Sequence, residues 1–285
     1  MSLAAATPLF VPQAERSGAV ETLVALMRAR LAFRDDLLAF GAQLGFTESL
    51  LDTWIKTKLV QSGTAAIDAA RGTTAEVIAA TPAGARELSA TTGQAWKGLS
   101  SSRFRRSGRK LAHDATVGRV ALTVLAAART KSLDLRGIET DDHVLANSAV
   151  VRERGNAKRV PLQADAYVLT HDGATLRGLL VEVDRGTTAA TKLSQKFLGY
   201  SEWSRQGGPE RSFGVKAMRV VTIVPDVRRL ERLREVALAA VGRPSAMFLF
   251  ALESDVTPRD PDKLLGPIAK TLARTGTSEA FFKRA

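Results

Sequence analysis

The sequence predicts an α/β protein of two domains, a mostly helical amino-terminal one and a mixed-sheet α/β carboxy-terminal one. Apolar residues between Val20 and Leu31 recur at threes and fours, the spacing of one helix face. Farther on, the runs Val220-Val-Thr-Ile-Val224 and Met247-Phe-Leu-Phe-Ala-Leu252 are apolar without alternation, as in strands covered on both faces. A chain of 285 residues is also about twice the usual length of a domain.

The amino-terminal elements follow in order. A helix fits Ala19 to Ala32, a short one Asp35 to Ala42, and a third Glu48 to Lys58 behind Thr47 as its N-cap. Leu59-Val60 and Thr74 to Ala80 flank a polar, glycine-bearing stretch and read as a two-stranded ribbon. Pro82 then suits the first turn of a further helix. Three helices, a ribbon and a helix make the order of a winged helix-turn-helix over residues 18–90. Lys56 and Lys58 would close its recognition helix, where they could meet DNA, although Glu48 and Asp52 share that helix. A small module that binds only a partner protein is the alternative.

Residues 91–110 read as a basic linker, and its segment from Lys97 to Lys110 holds six basic residues and no acid. Arg103, Arg105, Arg106, Arg109 and Lys110 are candidate contacts to backbone phosphates, with a solvated connector as the bland alternative. Residues 111–285 form the second domain, opening with His113 as a cap or packing residue on a long helix, Asp114 to Arg129. Strands are expected at Leu133 to Ile138, Val144 to Arg152, Val160 to Leu169, Leu176 to Asp184, Val215 to Val224 and Ala246 to Leu252, then a polar tail. Helices are expected at Thr188 to Arg205 and Val227 to Val241, giving a mixed sheet flanked by helices.

Composition narrows the partners. Lys and Arg number 41 against 29 Asp and Glu, a net charge of +12, and arginine supplies 29 of the 41. The guanidinium fork suits phosphate, so nucleic acid is the leading use of the excess. With no cysteine, disulfides, thiolate zinc sites and a cysteine nucleophile are excluded. Met1 to Ala6 lack the marks of a signal peptide, and no apolar run reaches the roughly 20 residues of a membrane span. A soluble cytoplasmic protein is expected.

The chemistry concentrates between Val160 and Tyr200. Asp165 lies within one apolar strand, and Glu182 and Asp184 end a second. Residues i and i+2 of a strand share a face, so Glu182 and Asp184 project together. Asp172-Gly173 marks the hairpin between the two strands. On the helix that follows, Leu193, Phe197 and Tyr200 form the inward stripe, with Lys196 about 60° and Lys192 about 100° from its centre. Three converging carboxylates call for a cation. Asp165 and Glu182 are candidate ligands for Mg²⁺ or Mn²⁺, with Asp184, Lys196 and Lys192 as candidate catalytic groups. The alternative is a structural network in which Arg185, Lys192 and Lys196 neutralise the acids.

The segment QADAYVLTHDG…GLLVEVDRGTTAATKLSQKFLGY, after TPAGAREL and KLAHDATV, resembles the plasmid replication-relaxation protein family over about residues 17 to 205. That resemblance implies a plasmid or mobile-element protein tied to replication and DNA relaxation, with a winged helix and a second domain. The second domain also resembles PD-(D/E)XK, or restriction-endonuclease-like, domains. Their metal-binding aspartate falls on Asp165 and their second acid on Glu182. Two positions depart from the pattern: Ala164 stands where a proline is usual, and Asp184 where the nucleases carry lysine. The amine would have to come from Lys196 or Lys192, which favours binding over cleavage. The expectation is therefore a DNA-binding accessory protein of replication, relaxation or transfer. A Mg-dependent endonuclease and a non-catalytic module docking replication or transfer proteins are the alternatives.

Overall fold

The computed structural model describes residues 18–68, 72–100, 107–130, 133–140, 147–153, 156–173, 175–186, 188–216, 218–272 and 278–282. The chain divides into two compact units. One runs to Ala126 and includes Thr257–Pro261, and the other comprises Ala127–Val256 and Asp262–Ala285.

The first unit opens with α1 (Gly18–Ala29), a two-residue β1 (Ala32–Phe33), α2 (Arg34–Ala42) and α3 (Glu48–Lys56). The strands β2 (Val60–Asp68) and β3 (Thr73–Ala80) pair antiparallel, and β1 adds to the β3 edge, giving the order β1-β3-β2. The Thr47 hydroxyl accepts from the Leu50 N–H at 3.3 Å and starts α3. Thr81 does the same for Gly84 at 3.1 Å, starting α4 (Pro82–Thr92) with Pro82 in the first turn.

The long helix α5 (Gly108–Arg129) corrects the expected boundary at residues 110/111. Its Leu111, Ala112 and Ala115 belong to one apolar cluster with Leu31, Phe33, Ala65, Val77, Ala79 and Leu99. Arg119 donates to Asp36 of α2 at 2.7 Å. A Cβ on Gly118 would meet the Leu31 carbonyl oxygen at 1.7 Å, so the helix lies directly on that backbone. Part of the expected linker is packed as well: Leu99 is buried and its N–H donates to Ala80. By length and composition α5 could also cross a membrane, contrary to the expectation of no spanning segment, but 72% of its apolar window is buried inside the fold.

The second unit holds β4 (Asp134–Thr140), β5 (Asn147–Glu153), β6 (Asn156–Leu162), β7 (Ala166–Asp172) and β8 (Thr175–Val183). It continues with α6 (Ala190–Arg205), α7 (Gly208–Phe213), β9 (Met218–Val224), α8 (Val227–Val241), β10 (Phe248–Leu252), β11 (Ala269–Thr271) and β12 (Ser278–Glu279). Seven strands form one mixed sheet in the order β12-β11-β10-β9-β8-β7-β4. Its β8/β9 and β9/β10 pairs are parallel, and the helical crossovers α6 and α8 make those pairings possible. Leu180, Val220, Val224, Phe248 and Phe250 meet Leu193, Phe197, Tyr200, Leu230 and Leu233 in the core.

Two expectations change here. The strand expected over Val160 to Leu169 is two strands in different sheets: β6 pairs only with β5, while β7 joins the main sheet. The expected polar tail supplies β11 and β12 at the sheet edge.

Candidate functional site

Strand β8 carries Glu182 into the interior. Leu180 and Glu182 share a face, and Leu180 is part of the core that also contains α6 and α8 side chains. On α6, Lys196 and Tyr200 are four residues apart and so reach the same place. The Lys196 ammonium donates to one Glu182 carboxylate oxygen and the Tyr200 hydroxyl to the other. Burial pushes the Glu182 carboxyl up to about 7; the Lys196 charge opposes this, and Asp165 adds to it. Burial and the neighbouring Glu182 likewise push the Tyr200 phenol well above its ordinary value, which keeps it a hydroxyl donor.

Asp165 lies between β6 and β7 rather than inside a strand. Its N–H donates to the Val181 carbonyl at 2.9 Å, and its Oδ2 accepts from the Val183 N–H at 2.8 Å. The side chain thus stands in for the next carbonyl of the β7/β8 ladder. Asp184 leaves the end of β8 with its N–H donated to Ile223 at 2.9 Å. Its Oδ1 accepts from the Gly186 N–H at 2.9 Å. Its Oδ2 accepts from Arg229 Nε at 2.9 Å and Nη2 at 2.6 Å. Arg229 also donates to the Thr188 carbonyl at 3.1 Å, so one guanidinium ties the loop after β8 to α8. Gly186, at φ +80°, permits the turn this needs.

As arranged, both Glu182 oxygens and both Asp184 oxygens are engaged by the chain's own donors, and Asp165 Oδ2 by a backbone N–H. Among the described residues no group of three or more His, Asp or Glu is placed to hold a metal. The pairing expected of Asp165 and Glu182 around Mg²⁺ or Mn²⁺ therefore does not fit the residues as arranged, and the three carboxylates are divided among separate partners.

The expected amines separate too. Lys196 reaches Glu182, whereas Lys192 is exposed and makes no ion pair among the described residues. Arg185 pairs with Glu253 at 3.0 Å. Arg229 went unforeseen. Its one signal is its place in the first turn of a helix capped by Asp226, where the helix dipole disfavours a cation, so a nearby carboxylate has to hold it. Of the candidate DNA contacts, Lys56 and Lys58 are exposed at the end of α3, and Arg109 is exposed at the start of α5. Lys110 is held by Asp114 at 2.8 Å. Arg103, Arg105 and Arg106 lie outside the described residues. The two acids of α3 share Arg34, at 2.8 Å from Glu48 and 2.9 Å from Asp52, so net negative charge remains on that helix.

A family model described as replication-relaxation matches residues 39–216, more than half of the chain and both strands of the carboxylate hairpin. The chain belongs to the replication-relaxation family. A search of curated proteins gives no match. Among solved structures, restriction endonuclease FokI is similar at 9% identity and a TM-score of 0.28, over 87% of this chain and 43% of that one. The chain thus spans less than half the length of that enzyme, and a likeness this weak assigns nothing.

Proposed function

We propose that this replication-relaxation protein binds DNA as an accessory factor in the replication or mobility of a plasmid or other mobile element, without cutting the strand itself. Family membership and the arginine-rich charge balance support the DNA partner. The order of three helices and an antiparallel ribbon, with the sheet β1-β3-β2, supports reading residues 18–90 as a winged helix. The observation that carries the non-cleaving part is the one-to-one pairing of site acids with the chain's own cations: Glu182 with Lys196, and Asp184 with Arg229. Covalent relaxation through tyrosine is disfavoured as well. The chain has two tyrosines; Tyr200 is buried against Glu182, and burial followed by Glu139 pushes the Tyr167 phenol up to about 12.

Titration with duplex DNA across a salt series tests the binding claim. Affinity that falls steeply as salt rises is expected, and no affinity at low salt, or affinity indifferent to salt, sinks the reading. Supercoiled plasmid incubated with Mn²⁺ tests the second claim. No nicking and no DNA–protein adduct is expected. Nicking by the wild type that Asp165→Ala abolishes would establish a nuclease instead.

A further inference from the structure

The β5/β6 hairpin is a two-stranded sheet of its own, and its role is not explained by the carboxylate site. Its inner face, Ala149, Val151, Val160 and Leu162, is buried in the same core as Phe197, Tyr200 and Trp203 of α6. Gly199 lets the two elements touch: a Cβ there would meet Leu162 Cδ2 at 2.8 Å and Val160 Cγ1 at 3.0 Å. The hairpin is therefore fixed on the helix, and so is what it displays. Ala157, Lys158 and Arg159 are exposed on β6. The Lys158 ammonium reaches across to Gln195 of α6 at 3.2 Å, and Lys192 lies one turn before Gln195. Arg159 and Lys192 have no ion pair among the described residues, and the first turn of α6 has no acid. The Glu182 carboxylate is buried and already held by Lys196 and Tyr200.

We infer that the rim formed by Lys158 and Lys192 is a second DNA contact that grips the phosphate backbone of a duplex. The inference rests on the DNA-binding reading above and adds a surface in the second unit. Exposed amines that make no ion pair among the described residues suit a polyanion, because each phosphate contact releases condensed counterions. A protein partner would call for an apolar anchor at the centre of the patch. The side chain that Lys158 meets on α6 is Gln195, which is polar.

The test uses the full chain and a labelled duplex, with affinity measured over a salt series. The double variant Lys158→Glu/Lys192→Glu should bind about tenfold or more weakly near 50 mM salt. The slope of log affinity against log salt should flatten by about two. Lys158→Arg/Lys192→Arg should bind like the wild type. Arg205→Gln, at the far end of α6 and paired with Glu202, should change nothing. No binding by the wild type would overturn the DNA reading itself. Wild-type binding with an unchanged affinity and slope in the Glu pair would overturn the rim alone. An Arg pair as weak as the Glu pair would also overturn it, since charge would not be the cause.

Discussion

Because burial pushes the Glu182 carboxyl up to about 7 from its ordinary 4.5, the folded chain holds that proton more tightly than the unfolded chain does. The stabilisation linked to this group is present in full below about 4.5 and is lost as pH rises through about 7, a span worth roughly 3 kcal/mol at most. Urea unfolding at pH 5 and pH 8 should show the wild type losing stability with rising pH. Glu182→Gln, which cannot ionise, should lose much less, and identical pH dependence in the two would refute the assignment. Asp184 and Arg229 answer to a different rule, since both are largely shielded and each neutralises the other. Removing one side with Arg229→Ala leaves a buried carboxylate without its cation and should cost about 3 to 5 kcal/mol by denaturant midpoint. A loss below about 1 kcal/mol would mean that water screens the pair. Lys196 was readable from its angular place on the helix. Arg229 was not, because its carboxylate lies 45 residues away in sequence and only the β8-to-α8 packing brings them together.

At the level of elements, caps and periodicity were reliable guides where the forces are local. Thr47 starts the helix its sequence position suggests, and the structure adds Thr81 and Asp226 as caps of two further helices. The strand expected across Val160 to Leu169 failed because sheet membership depends on distant partners. Val160 and Leu162 find theirs in β5, Ala166 and Val168 in β8, and the chain changes sheets at Gln163 to Asp165. Pro161 was the available hint, since it has no N–H to give and belongs on an edge. The same hairpin offers a packing test. Gly199→Ala should destabilise the protein by about 1 to 3 kcal/mol, as the added methyl presses on Val160 and Leu162. Unchanged thermal unfolding would show that the hairpin yields without cost.

For the whole molecule, the shift from helical to strand patterns led to an expected boundary at residues 110/111, whereas the compact units divide inside α5. An Ala-rich helix looks the same from either side, and only Gly118 marked it for close backbone approach. A fragment beginning at residue 111 would carry Leu111, Ala112 and Ala115 without the side chains they pack against. It should be less soluble than the full chain and bind a hydrophobic dye. A monodisperse, dye-negative fragment would show that α5 needs nothing from residues 18–99.

The division falls inside α5, at Ala126 and Ala127, and Thr257–Pro261 returns to the first unit late in the chain. Exchange of whole domains between proteins succeeds most readily where a border lies in an exposed linker. Here a crossover between residues 91 and 110 would strip the first unit of a helix it packs around, and one at 126 would join two half-helices of unrelated register. Even then, the returning segment would be left behind. The two units should therefore be inherited together, diverging by substitution at their surfaces rather than by trading partners.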